Sequence, residues 1–251
     1  MSEINVLSKE ELSLIVSDTT AYAFGKSRLS DKDKTFCKGM LSTGMGSIIK
    51  EKTILNFSDY EDDTALHGFD GFEKDTKRAV EIKTETFSDH GKTISKCSGT
   101  MNFGDNQESA YEKFSEQNPI ISVTSFAPNG KVVATIEFDF ADSTLEEEFK
   151  IYQERRQQDV KEGKNKNTSL SRNYKTFQNA KSFRVRFYNS KYGDMLVGPY
   201  RKLIEDTILS KNKQKLDSLD EKEINKMMSE TLTLEKKKNI LAMSLDNAMV
   251  A

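Results

Sequence analysis

Between residues 120 and 140 the chain reads IISVTSFAPNGKVVATIEFDF, and no other stretch constrains the fold as tightly. Two runs rich in β-branched residues flank Pro128, Asn129 and Gly130. The Asn-Gly pair tolerates the positive φ that a tight turn demands, so the stretch predicts an antiparallel hairpin. A second strand-like pair precedes it. ALHGFDGF and RAVEIKTETF are separated by the polar, turn-like EKDTK, which again predicts a hairpin. KTISKCSGTMNFG is expected to continue that meander, and SFRVRFYN reads as a further strand with Phe183, Val185 and Phe187 on one face.

Helical patterns surround these strands. Residues 9–16 form a short helix capped by Ser8, and Ser30 caps a longer stretch, residues 31–52, weakened by Gly39, Gly44 and Gly46. TLEEEFKIYQERRQQDVKEG is a polar helix ending at Gly163. From about residue 199 onward the pattern is helical, with Leu203, Ile208, Leu216, Leu219, Ile224 and Met227 among its apolar positions. The order of helices, strand meander, helix, strand and helices predicts an α/β or α+β protein. Residues 1–200 are expected to form the core with its N-terminal helices. Residues 201–251 are read as a C-terminal helical extension packed on the same domain.

Of the 251 residues, 35% are hydrophobic and 31% charged, which is enough apolar material for a core beneath a polar surface. No run approaches the roughly 20 apolar residues of a membrane span. The segment MSEINVLSKEEL lacks the basic and apolar regions of a secretory signal. Cys37 and Cys97 are too few for a disulfide framework and too poorly grouped for a zinc site. A reduced, cytoplasmic protein is the expectation. The net charge of −2 hides an uneven distribution, because Gly163 to Gly193 contains eight Lys or Arg and no Asp or Glu.

The most informative residues lie in AVEIKT. Val80 and Ile82 alternate with Glu81 and Lys83, so the two charges emerge on one face of a strand that otherwise reads as buried. Asp70 lies eleven residues before Glu81, and a hairpin returns it to Glu81's side. Two converging carboxylates form a hard-oxygen site suited to Mg²⁺, which keeps several waters and binds through one or two carboxylates. The neighbouring ammonium of Lys83 is placed to orient a water or to stabilise charge developing on a phosphate. The same acid-x-Lys triplet recurs at Asp75/Lys77, Glu148/Lys150, Asp159/Lys161, Glu162/Lys164, Asp220/Lys222 and Glu235/Lys237, in turns or polar helices. Context rather than the triplet distinguishes Glu81 and Lys83. The dull alternative is a solvated face of an antiparallel strand, which Thr84 and Glu85 would continue.

This arrangement, Asp70 followed by Glu81-Ile82-Lys83, resembles the PD-(D/E)XK nuclease superfamily, the fold of many restriction endonucleases. The resemblance covers about residues 31–90. It implies a restriction-endonuclease-like core, a central mixed sheet flanked by helices. It further implies that Asp70, Glu81 and the Ile82 carbonyl ligate Mg²⁺ (or Mn²⁺) and that Lys83 assists the nucleophilic water. Phe69 stands where the family often has proline. Many members carry an acidic residue on the preceding helix, a part that Glu51 is positioned to play.

For such an enzyme the basic block supplies the DNA contacts. Arg172, Lys175, Lys181, Arg184 and Arg186 are the candidates to neutralise phosphates of double-stranded DNA, with Tyr174 or Tyr188 stacking or hydrogen-bonding. The alternative is an ordinary polar sheet face. His67 and His90 flank the acidic residues without metal-ligand spacing. Gly99 to Gln107 reads as a polar loop, and GMGS lacks the lysine and spacing of a phosphate-binding loop. The C-terminal helices suit a homodimer that cuts both strands. The expectation is thus a Mg²⁺-dependent DNA endonuclease, and its rival is a non-catalytic nucleic-acid or protein-binding module.

Overall fold

A computed structural model describes residues 8–26, 28–42, 46–63, 69–86, 100–102, 107–163, 169–171 and 174–217. The chain divides into two units, residues 1–204 and 205–251. Three helices come first: α1 (Lys9–Ala23), α2 (Asp31–Ser42) and α3 (Gly46–Ser58). Strands β1 (Glu61–Asp62), β2 (Gly71–Phe72) and β3 (Ala79–Thr86) follow. Then come β4 (Thr100–Asn102), α4 (Gln107–Gln117), β5 (Ile120–Phe126), β6 (Val132–Asp139), α5 (Leu145–Lys161), β7 (Ser169–Ser171), β8 (Arg184–Tyr188) and α6 (Gly198–Asp217). The second unit begins within α6, and its described part is helical to Asp217. Among the described residues no helix is long and apolar enough to cross a membrane.

The protein is therefore α/β, built on a six-stranded mixed sheet in the order β1-β2-β3-β5-β6-β8. One neighbouring pair is parallel: β3 runs beside β5 from Val80↔Ile120 to Thr86↔Phe126. The other pairs are antiparallel. Both predicted hairpins form. Gly130 adopts φ +76° in the β5–β6 turn, the left-handed conformation that glycine enters without steric cost. Ser8 caps α1 as expected: its hydroxyl accepts from the Glu11 N–H at 3.1 Å, and the Glu11 carboxylate accepts from the Ser8 N–H at 2.8 Å.

Three expectations are corrected. The described part of the segment expected to extend the meander, residues 100–102, does not join the main sheet. β4 leaves the main sheet and pairs with β7 in a two-stranded sheet, while β5 takes the place beside β3. Every residue of β5 is buried, so this position, covered on both faces, suits its continuous apolar run better than the polar KTISKCSGTMNFG. The end of the polar segment at 99–107 opens α4, the helix of the crossover. The 31–52 stretch divides into α2 and α3, and α3 continues to Ser58 because Ile54 and Leu55 are buried. The stretches 87–99 and 218–251, which include part of the predicted meander and most of the predicted C-terminal helices, lie outside the described residues.

Both sheet faces are covered. Val80, Ile82, Ile120, Phe126 and Val132 share one core with Tyr22, Leu41, Ile49, Ile54 and Leu55 from the first three helices. On the other side, Phe138 stacks on Phe177 at 4.8 Å, and Phe177 meets Tyr200 of α6 at 5.9 Å. Burying each such aromatic stabilises the fold by roughly 1.5–3 kcal/mol. This is what allows a sheet to hold charged residues at one open edge.

Candidate active site

β2 is only two residues long. It pairs Phe72 with Ala79 and Gly71 with Val80, and there its ladder with β3 ends. The next residue back along the chain is Asp70, which the register brings alongside Glu81. The Asp70 carboxylate takes over where β2 stops: the Ile82 N–H donates to Asp70 Oδ2 at 2.6 Å. The N–H and C=O of one strand residue point the same way, so the Ile82 carbonyl also faces this side of β3, where no strand among the described residues pairs beyond Val80. Gly71 makes the close approach possible. A Cβ there would collide with the Glu61 carbonyl oxygen and with the Leu55 side chain.

Glu81 and Lys83 project together, as their alternation with Val80 and Ile82 predicts. They form an ion pair, Lys83 Nζ to Glu81 Oε1, with side chains only 21% and 15% exposed. Glu51 reaches the same region from α3. Burial is the main force raising the Glu51 carboxyl to about 7, followed by the Asp70 carboxylate, against the opposing pull of Lys83. Asp70 is pushed up to about 6, first by burial and then by Glu81, with Lys83 and the Ile82 N–H resisting. Three carboxyl groups thus share one central ammonium. Lys52, the other nearby cation, is itself paired with Asp62.

Such an excess of desolvated acid is relieved by a cation. Among the described residues no group of three or more His, Cys, Asp or Glu side chains is arranged to hold a metal ion. A closed protein cage is thereby not what these residues offer. The donors at the edge are Asp70, Glu81 and the Ile82 carbonyl, hard oxygens that fit a dication keeping much of its water shell. These are the oxygens named from the sequence, and Lys83 is paired with one of them, Glu81.

The basic residues are distributed differently. Arg172 lies outside the described residues, as do His67, His90 and Cys97. Lys175 and Lys181 are exposed, the first in a short 3-10 turn and the second just before β8. Arg184 and Arg186 do share a face of β8, separated from β3 by β5 and β6. Both turn to Glu137, which is fully buried: Arg184 Nε donates at 2.6 Å and Arg186 Nε at 2.8 Å to the same carboxylate oxygen. The Tyr60 hydroxyl donates to the other Glu137 oxygen at 2.6 Å and accepts from Arg186 at 2.9 Å. Burial and the Glu137 charge push the Tyr60 phenol up to about 12.

Two features escaped the sequence reading. Glu137 sits in the apolar run TIEFDF, where an isolated acid among strand residues is itself a signal that a buried partner must exist. Lys50, next to Glu51, is also buried. Nothing in the sequence separates it from the surface lysines around it. No protein-family model matches this chain, and no curated protein matches it either.

Proposed function

We propose that this chain is a Mg²⁺-dependent DNA endonuclease built on a restriction-endonuclease-like core. One observation carries the reading: Asp70, Glu81, Lys83 and Glu51, from three different elements, meet at an open strand edge with more acid than base. Asp70, Glu81 and the Ile82 carbonyl would hold Mg²⁺, with Mn²⁺ as the alternative ion. When bound, the dication lowers the pKa of a coordinated water and polarises the phosphoryl oxygens. Asp70 and Glu81 would keep that ion at the edge of β3, beside Lys83. Lys83 holds the attacking water in line or stabilises the charge gathering on the phosphate, and Glu51 is placed to accept a proton from the water. Duplex DNA is the substrate class, and a homodimer would cut both strands.

The test is incubation of the protein with mixed plasmid and phage DNA, in Mg²⁺ and in EDTA, beside Glu81→Ala. Cutting that needs Mg²⁺ and disappears in the variant supports the reading. A second reading, a non-catalytic binding module, draws on a specific observation: Arg184 and Arg186 spend much of their charge on Glu137, and Lys83 is tied to Glu81. Binding of DNA by wild type and Glu81→Ala alike, with no cleavage of any substrate, would favour it.

A further inference from the structure

Among the described residues two charged side chains are buried, Glu137 and Lys50. Glu137 is matched by two arginines and a tyrosine. Lys50 has no such match. Its ammonium donates to Thr86 Oγ1 at 2.6 Å and lies 5.5 Å from the centre of the Phe126 ring. Both partners are uncharged, and no carboxylate among the described residues pairs with it. A buried ammonium facing a hydroxyl and a ring is poorly compensated, and a Leu or Met would fill the same space at lower cost. Burial correspondingly draws its pKa down.

The ammonium is nonetheless near the surface. Thr86 ends β3 and is exposed, so the hydroxyl that receives the ammonium lies at the surface while the lysine stem lies in the core. Thr86 lies three residues beyond Lys83 on the same strand, about 10 Å at the ordinary strand rise. Glu51, the next residue along α3, belongs to the acidic cluster. A cation with no carboxylate partner among the described residues thus lies next in sequence to Glu51, whose acidic cluster would face a polyanionic substrate.

We infer that Lys50, steadied by Thr86, binds a backbone phosphate neighbouring the one that is cut. This rests on the nuclease reading for its placement, although the lack of a carboxylate partner among the described residues stands without it. Lys50 is then a binding residue for the substrate strand rather than a group that reacts.

The experiment measures binding of a short fluorescein-labelled DNA duplex to the full chain across a salt series, in Ca²⁺ and separately in EDTA. It compares wild type with Lys50→Met, Lys50→Arg and Thr86→Val. Loss of one phosphate contact should make the plot of log K against log salt shallower by about 0.7–0.9. For Lys50→Met the expected result is that shallower slope, about tenfold weaker binding at low salt, and a melting temperature no lower than wild type. Lys50→Arg should restore the slope, and Thr86→Val should keep it while weakening binding a few-fold. In cleavage, Lys50→Met should raise KM more than it lowers kcat. An unchanged slope in Lys50→Met overturns the inference, whether the variant melts higher or lower. Wild type that cuts DNA while Lys50→Met keeps its slope sinks Lys50 alone. Wild type that never cuts, yet binds with a slope that depends on Lys50, sinks the nuclease reading and leaves the phosphate site standing.

Discussion

The molecule carries two strand-borne charge clusters, and they are built on opposite principles. Around Glu137 every carboxylate oxygen is engaged, two guanidinium groups answer one acid, and the acid is fully buried. Around Glu81 three carboxyls converge on one ammonium, and burial drives two of them up rather than being offset. The first cluster satisfies its acid fully and ties β6, β8 and Tyr60 together. The second is left acid-rich at an open edge. Completed charge belongs to architecture, whereas uncompensated charge beside solvent marks a place where a ligand finishes the set.

Four measurements would sharpen or break this contrast. The largest effect is expected at the acid-rich cluster: Asp70→Asn or Glu81→Ala should lower DNA cleavage by at least ~10³-fold, about 4 kcal/mol of lost transition-state stabilisation. Plasmid nicking time courses, on variants shown to be folded by circular dichroism, would read it. Cleavage within tenfold of wild type would mean that these carboxylates are not what holds the metal.

At the completed cluster the loss should be structural. Glu137→Ala leaves Arg184, Arg186 and Tyr60 facing one another without an acid, and should destabilise the fold by roughly 3–5 kcal/mol in denaturant melts. A loss below about 1 kcal/mol would show that the network contributes little to stability.

The pH dependence comes next. Burial and neighbouring carboxylates raise Asp70 to about 6 and Glu51 to about 7 in the folded protein, above the ordinary carboxylate range. Both folded values are raised, so between about pH 4 and pH 7 the folded state holds more protons than the unfolded. Stability accordingly falls as pH rises through that window and levels off above it. Glu51→Gln should flatten the fall and stabilise the metal-free protein at pH 8 by on the order of 2 kcal/mol. On the proposed reading Mg²⁺ would bind the ionised carboxylates, and it should then raise the melting temperature more at pH 8 than at pH 5.5. A melting temperature independent of pH from 4 to 8 would contradict the coupling of these groups.

The smallest expected effect is Tyr60→Phe, which removes one hydroxyl from the completed cluster. It should cost about 1.5 kcal/mol while leaving cleavage unchanged. A large drop in cleavage at undiminished stability would instead connect Tyr60 to the chemistry.

The acid-rich cluster was the more legible of the two. Glu81 and Lys83 alternate with apolar neighbours, and the distance back to Asp70 matches a hairpin, so local rules sufficed. Glu51 was within reach because it lies near the end of the predicted helical stretch 31–52, the one just before the meander. Glu137 was hidden for the opposite reason. Its partners Arg184 and Arg186 lie 47 and 49 residues away and Tyr60 lies 77 away, separations that no periodicity encodes. Arg184 and Arg186 therefore looked like free cations for DNA. The crossover was missed on similar grounds. QESAYEKFSEQ is polar enough to pass for a loop, and its helix is placed by Phe114, which packs against Phe69 at 5.0 Å and Phe140 at 5.4 Å. The β5–β6 hairpin was clear because turn chemistry and β-branched runs agree within a single stretch.

Gly71 carries one last consequence. It brings no charge, no ligand and no proton, yet the backbone of β1 and the side chain of Leu55 occupy the space where any other residue would put its first carbon. Asp70 is its chain neighbour, so whatever displaces this strand displaces the aspartate. In a survey of every possible substitution, position 71 should therefore be as intolerant as the acidic residues. A map of sensitivity alone would rank it among the reacting groups, and only chemical rescue, such as added metal restoring a weakened ligand but never a shifted backbone, would tell the mason from the tool.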